Sequence, residues 1–334
     1  MKNPSKCFLC PHECEDVSDL VNGLCYIIGR EKTRGINTVS AEIVNVESAG
    51  FFHFFPGHEA VKIALPGCNL RCLFCDYLGG EKNWIVISEL EKKLSLLLEK
   101  SSPLILFLDC SFSILPPEPL TRIIKWKKVY RGDVWIIHAT NGFVDENHFK
   151  SIIEHLDALL VKFFGFSDEA YGRLTITPRA WKYAQKIVER VLERGPLLEL
   201  SYTIVPGFNE KDYKEFLNWL SSLRQFDIPL HIRRFYPKHL LKNKAPTRTK
   251  ILMDAFKEAK KMGFNYVYID DIYEGVPRNT YCPNDRTLLI RRVGYFVENT
   301  GIIESKCKKC GKRINVFGKI KETDIRSILK LPGE

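Results

Sequence analysis

The residues in this chain whose types and spacing could do chemistry are its cysteines. The stretch Leu65-Pro-Gly-Cys68-Asn-Leu-Arg-Cys72-Leu-Phe-Cys75-Asp-Tyr77 holds three at the spacing C-x3-C-x2-C, with Phe74 just before the last. Three thiolates so close on one loop can grip three corners of a cubane iron–sulfur cluster and leave the fourth iron without a protein ligand. An open coordination position separates a catalytic metal centre from a closed structural one. The alternative is a zinc knuckle completed by a distant fourth ligand. C-x3-C fits that poorly, because zinc pairs usually recur as C-x2-4-C.

Two further groups use the same soft ligand. Cys7, Cys10, Cys14 and Cys25 lie in a segment with too little apolar sequence for a core of its own, so a metal must organise it. Four thiolates suit zinc or a second iron–sulfur cluster equally, with loosely paired thiols as the alternative. His12 lies among them as a bystander, since four cysteines fill a tetrahedral site. Near the other end, Cys282 and Cys307-x2-Cys310 resemble two halves of a ribbon-type zinc site, with Asp285 where a fourth cysteine is expected. A carboxylate can bind zinc, although three cysteines with one aspartate is an unusual set. Of the eleven cysteines only Cys110 stands alone, and it reads as a small apolar residue beside a strand end.

The elements that must position these groups alternate. Apolar runs at 61–65, 104–109, 134–138, 158–164, 198–205, 230–235 and 266–269 predict strands. The cysteine loop follows the first of them, at the strand end where α/β active sites collect. Between the strands lie helical patterns. Ser88 and Glu91 form a capping box before Leu90, and helices are expected over 120–130, 145–155 and 180–194. Pro178 and Gly195 bracket the last of these. Two more apolar faces run through Tyr213, Phe216 and Leu220, and through Leu252, Ala255 and Ala259. Repeated βα units imply right-handed crossovers and a parallel sheet. The predicted fold class is α/β, a partial or full (β/α) barrel with small cysteine-rich modules at both ends. The boundaries read as a cysteine module over 1–30, connecting strands over 31–59, the barrel over 60–274, a ribbon-like module over 275–318 and a short helical or disordered tail over 319–334. The aromatic run at 51–55 reads as packing, since no Arg or Lys interleaves it.

A hydrophobic content of 45% suits an ordinary globular protein, and no apolar run approaches the ~18 residues of a membrane span. The start has no apolar signal region, so a cytoplasmic home is expected, where clustered cysteines are metal ligands rather than disulfides. The net charge of +10 fits a Lys-rich solvated surface better than a nucleic-acid footprint, because Lys and Glu alternate along the predicted helices.

The cysteine loop resembles that of the radical S-adenosylmethionine superfamily. The resemblance narrows, over nearly the whole chain, to the radical enzyme of the AmmeMemoRadiSam system and the wider group that includes glycyl-radical-enzyme activases. It is carried by Cys7-Phe-Leu-Cys10-Pro-His-Glu-Cys14, His53-Phe-Phe-Pro-Gly57, Gly67-Cys-Asn-Leu-Arg-Cys72, Thr140-Asn-Gly-Phe143, Ile204-Val-Pro-Gly207, the stretch 229–237 and Thr280-Tyr-Cys-Pro283. It implies a [4Fe-4S] cluster on Cys68, Cys72 and Cys75, with S-adenosylmethionine chelating the open iron. It also implies reductive cleavage to a 5′-deoxyadenosyl radical and a ferredoxin- or flavodoxin-type reductant. Phe74 would lie near the adenine and Glu118 would hold the cofactor ammonium. Thr140, Asn141 and Val205 would line the pocket.

The chain departs from that pattern at Pro116-Pro-Glu118-Pro119, where relatives carry a Gly-Gly-Glu-Pro or Tyr-Asn-Glu-Pro segment, and at Asp76-Tyr77, where they favour Gln-Asn. Ala139 and Lys162 replace two acids that in activase-like relatives hold a monovalent cation beside the cofactor carboxylate. Lys162 is expected to supply that positive charge directly. Three functions compete: a radical enzyme acting on a protein, RNA or other substrate, an activase that makes a glycyl radical on a partner protein, and a metal-stabilised RNA-binding or scaffold protein. The intact triad favours the first two. His231, Arg233, Arg234 and Asp270 fall at or near late strand ends, where they face a substrate or form ion pairs at the rim.

Overall fold

The structure, a computed structural model, describes residues 10–12, 38–64, 68–75, 84–98, 104–109, 117–130 and 133–324. Its centre is a nine-stranded sheet of β1 (Thr38–Asn45), β2 (Glu59–Ala64), β3 (Trp84–Val86), β4 (Leu104–Leu108), β5 (Val134–Thr140), β6 (Ala158–Phe163), β7 (Leu197–Ile204), β8 (Leu230–Arg234) and β9 (Val267–Ile269). The order is β3-β1-β2-β4-β5-β6-β7-β8-β9. From β2 to β9 neighbouring strands are parallel, while β1 runs antiparallel to both β2 and β3. The predicted barrel is therefore a partial one, with β3 and β9 as its edges.

Helices α1 (Val46–Ala49), α2 (Leu90–Leu98), α3 (Pro117–Val129), α4 (Glu146–Ile153), α5 (Asp168–Thr175), α6 (Ala180–Arg194), α7 (Asp212–Ser222) and α8 (Thr249–Lys261) complete the α/β pattern. Asp145 caps α4 through the amides of Asn147 and His148, and Ser167 caps α5 through Ala170. The expected capping box at Ser88 is not formed. Residues Ile87–Glu89 make a 3-10 turn and α2 begins at Leu90. The expected tail helix is absent over 319–324, and the rest of that tail lies outside the described residues.

Alternation along the strands separates two faces. Val61, Ile63, Leu106, Leu108, Ile136, Leu159, Val161, Leu200 and Ile232 form the main core with the apolar stripes of α4, α6, α7 and α8. Ala60, Ile105, Phe107, Ile137, Ala139 and Leu160 line the concave face. The segment between β1 and β2 folds into that concavity. Phe51, Phe54 and Phe55 pack against Phe107, Trp135 and Leu160, so the aromatic run is core, as expected. Truncating one such ring to alanine costs about 3–5 kcal/mol. Gly50 makes the turn at φ 91, and a Cβ there would lie 2.9 Å from Leu160 Cδ2.

The C-terminal part builds two small antiparallel units, β10 (Thr280–Tyr281), β11 (Leu288–Val293) and β12 (Phe296–Asn299), then β13 (Ile302–Ile303) and β14 (Lys306–Cys307). They clasp the plug from outside. Arg292 donates to Glu47 at 2.7 Å and to the Phe52 carbonyl at 2.8 Å, all buried. Phe317 stacks on Phe54 at 5.2 Å. Among the described residues no helix is long and apolar enough to cross a membrane.

Candidate active site and metal centres

Cys68, Cys72 and Cys75 sit half-buried on the loop after β2, at the C-terminal end of the parallel strands. Three backbone bonds hold that loop from elements distant in sequence. Arg71 N donates to Thr175 O (3.2 Å), Leu73 N donates to Leu174 O (2.8 Å), and Leu73 O accepts from Leu241 N (3.1 Å). The first two acceptors are the last carbonyls of α5, which a helix end leaves in need of donors. Two N–H groups point at the first sulfur: Leu70 N at 3.4 Å and Asn141 Nδ2 at 3.6 Å. Donors aimed at a thiolate offset its charge and orient it for ligation.

Asn141 is the hub of this corner. Its amide nitrogen donates to Asn69 Oδ1 at 3.0 Å, its oxygen accepts from Phe143 N at 2.9 Å, and Asn69 donates to the Phe143 carbonyl. Thr140 is buried and accepts from Gly142 N with its hydroxyl. Gly142 has φ +72, and a Cβ there would stand 2.5 Å from Ala184 Cα on α6. The Thr-Asn-Gly turn is thus fixed by helix packing on one side and by the cysteine loop on the other. His12, expected to be a bystander, bonds Asn69 O through Nε2 at 3.0 Å and meets the Phe143 ring edge-on at 4.8 Å. Cys10 is buried nearby in sequence, while Cys7, Cys14 and Cys25 lie outside the described residues.

The cysteine loop roofs a cavity of about 280 Å³. Cys68, Cys72, Cys75 and Phe74 form one wall, Asp109, Asn141 and Lys162 a second, and Ser201, Thr203 and Arg233 a third. Phe74 packs edge-on against Phe164 at 5.5 Å and Phe235 at 6.0 Å. Val205 stands behind this wall in an apolar cluster with Leu73 and Phe74, its amide bonded to Asn209 Oδ1 at 2.7 Å. Glu118 lies in the first turn of α3, but its side chain is outside the described residues, as are Asp76, Tyr77, Cys110 and Pro116.

Below Arg233 the polar groups continue into the sheet. His231 bonds Glu199 through Nε2 (2.8 Å) and Asp270 through Nδ1 (2.6 Å), with all three side chains buried. Glu199 also accepts from the amides of Phe52 and His53, so the plug and the floor are tied together. Burial alone would push the His231 pKa down, but the Asp270 and Glu199 carboxylates outweigh it and raise it to about 9. Burial likewise pushes Asp270 up, and His231 with Arg233 reverses this to hold it low. The imidazolium is therefore a buried cation between two carboxylates. Arg233 Nε lies 3.7 Å from Asp270 Oδ2, and Arg233 lines the cavity. Arg234 turns away toward α8, donating to the Thr247 carbonyl and to Thr249 Oγ1.

In the C-terminal part, Cys282, Asp285, Cys307 and Cys310 bring one ligand atom each to within 4.8 Å of one another. Cys282 and Cys310 sulfurs are 3.5 Å apart, and Cys307 Sγ lies 3.8 Å from Asp285 Oδ1. This set could hold a metal ion.

The polar row Glu199, Ser201 and Thr203 on β7 was not singled out in the sequence. Its signal is the period of two within a buried strand, where three successive positions of one face, after Leu197, are polar.

Three cysteines thus stand together at the C-terminal end of the first parallel strand of an α/β sheet, over one cavity. The sequence profile of the Radical SAM superfamily matches residues 63–220. The matched stretch contains all three loop cysteines. A protein of Methanocaldococcus jannaschii described as uncharacterized protein MJ0808 is 26% identical over 94% of this chain and 96% of its own length. Among solved structures, the fold is similar to a radical SAM methyltransferase from Sphaerobacter thermophilus, at 16% identity and a TM-score of 0.47, covering 66% of this chain and 70% of that one. It is also similar to TYW1 with a lysine-pyruvate adduct bound, at 15% identity and a TM-score of 0.45, covering 67% and 78%.

Proposed function

We propose that this protein is a radical S-adenosylmethionine enzyme, with Cys68, Cys72 and Cys75 as the ligands of a [4Fe-4S] cluster. The observation that carries this reading is the Cys68 environment. Two N–H donors converge on a half-buried sulfur at the mouth of a cavity that Lys162 and Asn141 also line. The chemistry such a cluster supplies is one-electron scission of the cofactor's sulfonium C–S bond, giving methionine and a 5′-deoxyadenosyl radical that abstracts hydrogen from a substrate.

The chain's own residues bind, orient and exclude water. Phe74, braced by Phe164 and Phe235, offers an apolar face to the adenine. Lys162 meets the cofactor carboxylate as a point charge on a flexible stem, in place of a bound cation. Glu118 holds the ammonium. Thr140 and Val205 act from behind, the first by fixing the turn that presents Asn141, the second by backing Phe74. The reductant is a ferredoxin- or flavodoxin-type protein, and the compartment is the cytoplasm. We assign the ribbon set Cys282, Asp285, Cys307 and Cys310 to a zinc ion, the metal that suits closed sulfur-rich tetrahedral sites.

The test is anaerobic reconstitution with iron and sulfide, followed by dithionite and S-adenosylmethionine. Formation of 5′-deoxyadenosine is expected in the wild type and not after Cys72→Ala. Its absence from a fully reconstituted wild type would overturn the reading. Lys162→Ala is expected to weaken S-adenosylmethionine binding at least tenfold, and unchanged affinity would remove Lys162 from that role.

A further inference from the structure

The third wall of the cavity, formed by β7 and β8, is not used by the roles assigned so far. Ser201 is 1% exposed, lines the cavity, and meets no hydrogen-bond partner among the described residues through its hydroxyl. A buried hydroxyl without a partner is costly, and a ligand that supplies one recovers that cost. Register places Ser201 beside Lys162 on β6 and beside His231 on β8, and places Thr203 beside Arg233. The orphan hydroxyl therefore stands beside Lys162 and one inward position from the Thr203–Arg233 pair, and both cations line the same cavity.

Charge points the same way. Among the described residues that line the cavity, Lys162, Arg233 and Lys238 bring positive charge and Asp109 and Asp271 negative charge, while the Arg234 guanidinium is taken by Thr247 and Thr249. Asp109 is itself paired with Lys62 at 3.5 Å. Bound S-adenosylmethionine carries a net positive charge, and a cluster held by three thiolates carries a compensating negative one. Arg233 is the cation of the β7–β8 wall that the roles assigned so far leave for a second occupant. Arg233 is held for that task from below. Its contact with Asp270 is an ion pair at 3.7 Å, beyond hydrogen-bond distance, while His231 takes the other Asp270 oxygen at 2.6 Å.

We propose that the substrate of this enzyme carries a carboxylate or phosphate group, and that Arg233 and Ser201 bind it. Arg233 supplies planar paired donors, which match the oxygens of either anion, and the Ser201 hydroxyl donates to a remaining oxygen. This inference rests on the radical reading for the position of S-adenosylmethionine on the β5–β6 side, which leaves the β7–β8 side for the substrate.

The experiment is calorimetric titration of the full-length, reconstituted protein, saturated with S-adenosylmethionine, with inorganic phosphate and separately with acetate. Wild type is expected to bind one probe better than the other, which assigns phosphate or carboxylate. Arg233→Gln should weaken the preferred probe at least tenfold and Ser201→Ala several-fold, while Arg233→Lys, which keeps the charge, should weaken it less than Arg233→Gln. Affinity for S-adenosylmethionine should stay within about twofold in Ser201→Ala and Arg233→Gln. The inference is overturned if wild type binds neither probe, or if Arg233→Gln binds both as wild type does. It is also overturned if Arg233→Gln loses S-adenosylmethionine in parallel with the probe, since the anion held there would then be the cofactor's own carboxylate. Failure of the wild type to bind S-adenosylmethionine at all would instead sink the radical reading, and the probe titrations could still be read on their own.

Discussion

Asn141 Nδ2 donates to Asn69 Oδ1 at 3.0 Å, joining the end of β5 to the cysteine loop across 72 residues of sequence. The same amide points at Cys68 Sγ, and the same pair closes on the Phe143 backbone. Breaking the pair leaves buried backbone groups unpaired, at about 1–3 kcal/mol each. Asn141→Ala is expected to fold, to lose stability on that scale, and to hold less iron per chain after reconstitution than wild type. Wild-type iron content would show that Asn141 does not position the loop.

Removing the buried cation should be more damaging than removing either neighbour's bulk. His231→Gln leaves Glu199 and Asp270 facing each other without a positive charge between them. Breaking a buried ion pair in this way typically costs about 3–5 kcal/mol. Urea denaturation should show this loss, and a double variant that also carries Glu199→Gln should recover part of it. A loss below about 1 kcal/mol would mean that solvent reaches the floor.

Stability should depend on pH from both sides. His231 has a folded pKa raised to about 9 from 6.5, so its contribution is fully present below pH 6.5 and is lost as pH rises through 9. The effect is on the order of 3 kcal/mol. His53 and His138 are pushed down to about 4, chiefly by burial, so the folded state resists their protonation and loses stability as pH falls from 6.5 toward 4. A maximum near pH 6.5 is expected in thermal melts across this range. His231→Gln should flatten the alkaline limb alone.

The ribbon site should hold metal independently of the loop cysteines. In a protein with Cys68, Cys72 and Cys75 all changed to alanine, Cys307→Ser is expected to remove about one zinc per chain. Asp285→Cys should retain that zinc. Chelation should loosen β13 and β14, read by faster amide exchange around 300–310, because the hairpin has few buried apolar groups beyond Cys307 and Ile314.

Much of the fold was legible because the strands are runs of Val, Ile and Leu separated by capped amphipathic helices. The 180–194 helix was read to the residue. Helix α5 was not. Its interior Gly172 and its polar residues hide the apolar stripe of Ala170, Tyr171 and Leu174. That omission matters, since the end of α5 holds the cysteine loop. The three loop cysteines stand out in the sequence by their spacing, and the structure brings them to one wall of the cavity. The floor was only half so: His231 and Asp270 stood out as strand-end polar residues, but Glu199 looks like an ordinary surface acid until β7 and β8 pair. Ser201 was illegible for a different reason. An orphan hydroxyl is a relation with its surroundings, and no residue type announces it.

The aromatic plug has one more consequence. Phe51 and Phe54 meet Phe107 and Trp135 of the sheet on one side, and Phe54 meets Phe317 of the C-terminal part on the other. The ribbon is therefore a strut of the sheet rather than an ornament on it. Loosening it would release the segment whose Phe52 and His53 amides Glu199 holds.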